Sequence, residues 1–460
     1  MIEHGGFMPK RQPNVLFILT DQQRWDTTGV HGNPLDLTPN FDRMAREGTH
    51  LYKMFTCQPV CAPARACLQT GLYATANGVW RNGLALGRSH PTLADHFGAA
   101  GYATGYIGKW HLGDPAVAEA VEEQDRGGYQ YWLASNALEF TSDAYQTTMY
   151  DNANQAVRLP GYRVDALTDA AIRYIDQHQA QPFYLFVSYL EPHFQNRRDH
   201  YPAPEGYEER YTGRWLPPDL AALGGSSAQH LGGYYGMVKR LDEALGRLLD
   251  ALRSLDLLED TIVVFTTDHG NHFKTRNSEY KRSCHESSVR IPCAIGGPGF
   301  EAGGQQRALT SLLDLPPTLL DAAGIPVPPA MQGRSILPLI RHEKVDWNEE
   351  VYIQISEAQV GRAIRTRRWK YSVRAEGLGG SEQPGADVYA EDCLYDLDAD
   401  PYEMNNLAGL LSHRALADRL RERLLARMLR AGEAAPVIVP APERLPNSQR
   451  FLFPEEVEEV

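Results

Sequence analysis

Several things are missing from this chain of 460 residues. No apolar run approaches the length of a bilayer span, which excludes a membrane-embedded helix as a working model. The opening stretch, MIEHGGFMPKRQPNVLFILTDQQR, lacks a signal peptide's basic start, long apolar middle and small-residue cleavage site. Long basic runs are absent too. Lys and Arg number 45 against 58 Asp and Glu, a formal charge of −13, which argues against nucleic acid as a partner. An acidic whole still leaves an anionic ligand open, because local cations decide that. Cysteine is scarce. Cys57, Cys61, Cys67, Cys284, Cys293 and Cys393 are too few in this length for a disulfide framework. Internal repeats are absent. The expectation is a cytoplasmic, globular protein with no membrane partner.

What is present is layered. With 43% hydrophobic residues the chain can build two or three domains around a large core. PNVLFILTDQQR reads as a buried strand over Asn14–Thr20 that ends in polar residues. LTPNFDRMAREG reads as a short helix, and CAPARACLQTG as a second, with Pro63 in its first turn and Gly71 past its end. YATGYIGKWHLG, PFYLFVSYLEPHF and TIVVFTTDHGNH read as strands running into loops. VDALTDAAIRYIDQH and GYYGMVKRLDEALGRLLDALRSL read as amphipathic helices. Alternating strands and helices predict an α/β fold, a central sheet flanked by helices, over residues 1–345. Residues 346–434 change character. EEVYIQIS and GRAIRTRRWKYSV look like antiparallel strands and HRALADRLRERLLARMLRAG like a helix, which predicts a smaller α+β domain. Residues 435–460 are rich in proline and end acidic.

The polar clusters DQQ, KWH, EPH and DHGNH each follow an apolar strand, so they can meet at one sheet edge. Asp21 and Asp268, with Gln22 and His269 beside them, are hard ligands suited to Ca²⁺, Mg²⁺ or Mn²⁺. Taken singly, each aspartate fits a helix cap or turn equally well. Arg65, Lys109, His111, His193 and Lys281 lie on segments expected at the same edge. Converging cations opposite a metal suit a doubly charged oxyanion, although a lone His or Lys is more often a surface or satisfied core group. Cys61 admits three readings: a metal thiolate with Cys57 and Cys67, half of a disulfide, or a reactive group at a helix N-terminus. The spacing Cys57-x3-Cys61-x5-Cys67 fits zinc poorly. A helix start and nearby Arg65 would activate the thiol. The other five cysteines are read as buried and structural.

These segments carry a resemblance. CAPAR followed by ACLQTG resembles the sulfatase signature Cys-x-Pro-x-Arg, and GYATGYIGKWHLG the second sulfatase signature. PNVLFILTDQQR, TIVVFTTDHG, KRSCHESSVRIP and LYDLDADPYEMNNLA match further blocks in order. The chain is identified on these as similar to the formylglycine-dependent type I sulfatases of the alkaline-phosphatase-like superfamily, over residues 13 to about 408. The resemblance implies that superfamily's central mixed β-sheet, with residues 1–345 as the catalytic domain.

It also implies that a maturation enzyme oxidises Cys61 to Cα-formylglycine, reading the linear motif before folding. A hydrated aldehyde carries two hydroxyls: one attacks sulfur, and the other, once deprotonated, expels sulfate. Asp21, Gln22, Asp268 and His269, with modified Cys61, correspond to the ligands of one divalent metal, Ca²⁺ ahead of Mn²⁺ or Mg²⁺. Arg65 would hold the diol oxygen, Lys109 would bridge formylglycine and sulfate, and His111 would take a proton from the second hydroxyl. His193 and Lys281 would bind sulfate and assist the leaving alcohol. Asn82 matches a position near the sulfate. Two departures stand out. Gln22 and His269 replace the aspartate and asparagine of many members, and EPHFQN lacks a second proline after its histidine.

The expected reaction is hydrolysis of an organic sulfate monoester, a sugar sulfate first, with aryl sulfates as surrogates. A phosphonate monoester or phosphodiester hydrolase is the rival, since such relatives share the Asp-Gln and Asp-His pairs. A silent oxyanion-binding protein is a third reading, weakened by the joint presence of Cys61, Arg65, Lys109, His111 and Lys281. Substrate choice is expected in AVEEQDRGGYQYWLASNALEF and QNRRDHYPAPEGYEERY. Apolar residues of the tail, among them Val437, Ile438, Val439, Phe451, Leu452 and Phe453, are expected to pack on another subunit of a homo-oligomer.

Overall fold

The computed structural model describes residues 12–195, 198–301 and 303–444. Its centre is the strand Asn14–Thr20, all seven residues buried. Alternation along the strand sends Val15, Phe17 and Leu19 into one core and Leu16 and Ile18 into another. Both faces of the sheet therefore need cover. Helices Cys61–Thr70, Leu93–Ala99 and Leu315–Ala322 lie over the first face. Arg163–Gln177 and the 28-residue Ser227–Ser254 lie over the second. Arg163–Gln177 buries Val164, Leu167, Ala171, Tyr174 and Ile175, the three-to-four spacing of one helix face.

The sheet has ten strands. Asn14–Thr20 pairs in parallel with Phe183–Ser188 on one side and Thr261–Thr267 on the other. Ala103–Lys109 follows Phe183–Ser188, again in parallel, and Tyr131–Ser135 follows that. Five strands thus end at one edge, and registers such as Thr20 opposite Thr267 bring the next residues of neighbouring strands level with one another. Close approach is built into this edge. Gly108 has φ +113°, and a Cβ there would lie 1.9 Å from the Ser188 carbonyl oxygen.

Two sequence expectations need correction. YQYWLASNALEF, read as part of a specificity loop, contains the strand Tyr131–Ser135, and a hairpin of Thr147–Tyr150 and Ala156–Leu159 extends the sheet beyond it. Alternating Trp132 and Ala134 face one core while Leu133 faces the other, a two-faced burial that a mixed Tyr-Gln-Tyr start disguises. The start of the tail also differs. Val437–Val439 pairs in parallel with Val388–Asp396 as the edge of a five-stranded sheet. Ile438 is buried in this chain's own core, not on another subunit, and the prolines at 436 and 440 bound an edge strand. Phe451, Leu452 and Phe453, and with them the expected subunit contact, lie outside the described residues.

The remaining strands of that sheet are Glu350–Ile355, Gly361–Thr366 and Trp369–Arg374, each antiparallel to the next. Helix Arg414–Arg430 covers one face through Ala417, Leu420, Leu424 and Met428. The other face, with Ile353, Ala363 and Cys393, closes over Phe55, Cys284 and Val289 of the larger body. Among the described residues no helix is long and apolar enough to cross a membrane.

Substituting Gly108 by Ala should lower stability by about 1–3 kcal/mol through overpacking against Ser188. Urea unfolding measures this. An unchanged midpoint would contradict the close approach.

Candidate active site

Asp21 and Asp268 each stand one residue past the end of a strand, and the parallel register puts them side by side. Two carboxylates so placed repel unless a cation lies between them. Arg65 is that cation. Its Nη2 lies 3.0 Å from Asp21 Oδ2 and its Nε 3.1 Å from Asp268 Oδ2. Its Nη1 donates to the Lys109 carbonyl and to Ser188 Oγ at 2.9 and 2.7 Å. Arg65 is one helical turn from Cys61, so the two share a face and the thiol is carried to the same edge.

Cys61 Sγ marks the place that an oxygen on a modified side chain would take. It lies 3.6 Å from Asp21 Oδ1 and 3.2 Å from His269 Nε2. Lys281 Nζ approaches it at 2.8 Å and is itself 3.3 Å from His193 Nε2. Lys109 Nζ is 2.8 Å from Asp21 Oδ2 and 3.0 Å from Glu139 Oε1. His111 is held with φ +62°, its Nδ1 buried and without a hydrogen-bond partner. Asn82 sits at the helix start, where its Oδ1 accepts from the Ala62 N–H at 3.0 Å, one of the amides a helix leaves unpaired. The structure thus brings Asp21, Gln22, Cys61, Arg65, Asn82, Lys109, His111, His193, Asp268, His269 and Lys281 to one place.

Charge balance polarises the thiol. Burial would raise its pKa, but Lys109, Lys281, His269 and His111 outweigh burial and hold it well below a free thiol. Burial and Cys61 push Asp21 up, yet Lys109, His193 and Arg65 hold its carboxyl below the usual range. For Asp268 burial and the Asp21 charge win, and its carboxyl moves up. Glu139 is opposed by burial but brought down to about 2 by Lys109, His111 and His193.

The donor set fits a hard divalent cation. One ligand atom each from Asp21, Cys61, Asp268 and His269 lie within 4.8 Å of one another. Gln22 adds a fully buried amide whose Oε1 and Nε2 both lack partners, a costly arrangement that a cation would relieve. His269 Nδ1 lies 3.0 Å from the Gly270 carbonyl, which can only accept. Nδ1 therefore carries the proton, and Nε2 presents a lone pair toward the two carboxylates. A second trio, Cys284, His285 and Cys393, also clusters. There both ring nitrogens of His285 already have partners, Ser283 and Tyr395, so no lone pair is left over.

Sequence reasoning missed Glu139, Ser188 and Glu357. Glu357 Oε1 accepts from the Asn82 N–H at 2.6 Å and its Oε2 pairs with Arg282 at 2.5 Å. A single acidic residue in a loop carries no pattern. The one signal for Glu139 was its place just after a strand that ends at the polar edge.

Replacing Arg65 by Ala should destabilise the protein by about 3–5 kcal/mol, because two buried carboxylates lose their shared partner. Urea unfolding in chelator-containing buffer measures it. A loss below about 1 kcal/mol would mean that Arg65 does not neutralise the pair.

Comparison with known proteins shows the family. The Sulfatase family model matches residues 13–325, and the C-terminal model of N-sulphoglucosamine sulphohydrolase matches residues 278–430. An ulvan-active sulfatase of Formosa agariphila is 31% identical, covering 92% of this chain and 82% of the relative. An N-acetylglucosamine-6-O-sulfatase of Bacteroides thetaiotaomicron is 25% identical, covering 87% and 83%. A solved protein in complex with its substrate D-glucosamine-2-N,6-O-disulfate superposes with a TM-score of 0.76 at 24% identity, covering 93% of this chain and 99% of that one. The sulfatase signatures, the alkaline-phosphatase-like fold and a family match over more than half the length meet in one conclusion: this chain belongs to the sulfatase family and is a sulfuric ester hydrolase.

Proposed function

We propose that the chain hydrolyses a sugar sulfate monoester at the S–O bond. Residue 61, oxidised to formylglycine, is the nucleophile, and one divalent cation, Ca²⁺ ahead of Mn²⁺ or Mg²⁺, is bound beside it. The observation that carries this reading is the position of Cys61. Its Sγ lies beside a carboxylate and an imidazole suited to a metal and also beside the Lys281 ammonium, which in turn meets His193. The sugar specificity rests on relatives named for sulfated saccharides.

Asp21, Gln22, Asp268 and His269 would hold the ion, which supplies charge for the sulfate oxygens and lowers the pKa of the oxygen on residue 61. Arg65 bridges Asp21 and Asp268 and holds them in place. Lys109, held between Asp21 and Glu139, lends its positive charge to residue 61 and would do the same for a bound sulfate. His193 Nδ1 donates to the Phe194 carbonyl at 2.7 Å, so Nε2 is an acceptor and Lys281 is the donor between them. That assigns the proton for the leaving alcohol to the Lys281 ammonium, with His193 orienting it. His111, whose Nδ1 has no structural bond, is free to take the proton of the second hydroxyl. Buried, unpaired cysteines suit the reducing compartment that a cytoplasmic enzyme occupies.

Gln22 and His269 favour weighing one rival. Two neutral ligands leave the ion more positive than three carboxylates would, which also suits a phosphonate monoester or phosphodiester. Rates on 4-nitrophenyl sulfate and on a phenylphosphonate ester discriminate, with the sulfate expected to be faster.

Peptide mass spectrometry on active enzyme should find formylglycine at position 61, and Cys61→Ala should cut kcat/KM about a thousandfold or more. Full activity with intact cysteine at that position would sink the mechanism. Exhaustive chelation should abolish turnover reversibly. Calorimetric titration with Ca²⁺ should show one site that Asp268→Ala removes, and undiminished turnover after metal removal would refute the ligand assignment.

A further inference from the structure

The hairpin that extends the sheet also walls a large cavity. About 750 Å³ lies between Phe140–Asp143, Thr147–Thr148, Arg158 and Gln195. That is within the range of small-molecule sites, roughly 300–1,000 Å³, and is larger than a sulfate pocket needs.

Three observations tie this cavity to the reaction centre. Phe140 lines both it and a smaller cavity of about 180 Å³ that contains His111. Phe140 directly follows Glu139, whose carboxylate holds Lys109. Gln195, two residues beyond His193, donates to the Glu139 and Ser142 carbonyls at 2.7 and 2.9 Å and so forms the inner wall. Phe140 therefore stands at the junction of the cavity lined by His111 and this larger space.

The lining has a distinct chemistry. Phe140 and Tyr145 are 43% and 53% exposed, a high value for aromatic rings, and such faces suit the C–H surface of a pyranose. Ser142, Gln146 and Thr148 add polar groups to the same wall. Arg158 is exposed on the strand Ala156–Leu159, and its guanidinium makes no hydrogen bond or ion pair among the described residues. The acid on the same wall, Asp143, is paired with Arg198 at 3.4 Å. The net character is an uncompensated guanidinium beside aromatic and hydroxyl-compatible surface.

We propose that this cavity receives the sugar unit next to the sulfated one, and that this unit is anionic, its carboxylate or second sulfate meeting Arg158. The inference rests on the proposed function and extends it: the substrate is an acidic oligosaccharide, not a lone sugar sulfate.

The test uses full-length, matured enzyme and four probes. One is 4-nitrophenyl sulfate. The others are three sulfated disaccharides that differ only in the neighbouring unit, which is neutral, carboxylated or sulfated. Wild type should favour at least one acidic disaccharide over the neutral one by about tenfold in kcat/KM, and the favoured arm identifies the anion. Arg158→Ala should erase that preference through KM with kcat within about twofold, and Arg158→Lys should keep part of it. Phe140→Ala should raise KM for all three disaccharides. Activity on 4-nitrophenyl sulfate with equal rates on the three disaccharides overturns this inference alone. So does a preference that survives Arg158→Ala. Turnover of none of the four probes overturns the proposed function, and this inference with it.

Discussion

The structure turns on one buried guanidinium. Parallel pairing of Asn14–Thr20 with Thr261–Thr267 forces Asp21 and Asp268 together, and Lys109, at the end of a neighbouring strand, pairs with Asp21 but is not seen to bridge the two. Arg65 does so from a helix, and in the same fork it ties down the Lys109 carbonyl and Ser188 Oγ at the ends of two further strands. Four strand ends and one helix are thereby fixed to a single planar group. In the low-dielectric interior this fork defines angles as well as distances, which a lysine could not do. Cys61, one turn away, is delivered to its position by the same contact.

A second layer of charge surrounds the first. Lys109 is shared between Asp21 and Glu139, and Lys370 between Glu286 and Glu403. Glu286 lies five residues past Lys281, so the segment that presents Lys281 is fastened to the five-stranded sheet. Glu357 does the same for Asn82 and Arg282. The C-terminal sheet is therefore part of the active-site architecture, even though it contributes no residue to the metal or sulfate positions described above.

Much of this was legible in the sequence for a physical reason. Strands buried on both faces, such as Asn14–Thr20 and Thr261–Thr267, must be apolar throughout, so they show as runs with polar residues at their ends. The motif around Cys61 could be read because a helix start, its proline and its arginine are close in sequence. What escaped depends on distant partners. Glu139 is meaningful only beside Lys109, and Val437–Val439 is a strand only because Val388–Asp396 offers an open edge. Asn82 came from the resemblance, and its Oδ1 bonds the Ala62 N–H beside Cys61, a contact that no spacing in the sequence announces.

Burial of Cys61 has a consequence in time. The side chain is 1% exposed, sealed in part by Lys281, which follows it by 220 residues. No enzyme could reach the thiol in the finished fold. During synthesis the position is different. At about 5–20 residues per second, the ribosome takes on the order of 10–40 s to deliver Lys281 after Cys61 has been made. For most of that interval the Cys61–Arg65 segment lacks the strand Thr261–Thr267 that carries Asp268 at its end, and for all of it the covering lysine. The order of the chain, catalytic residue first and its enclosure last, sets a clock within which any oxidation of Cys61 has to be finished.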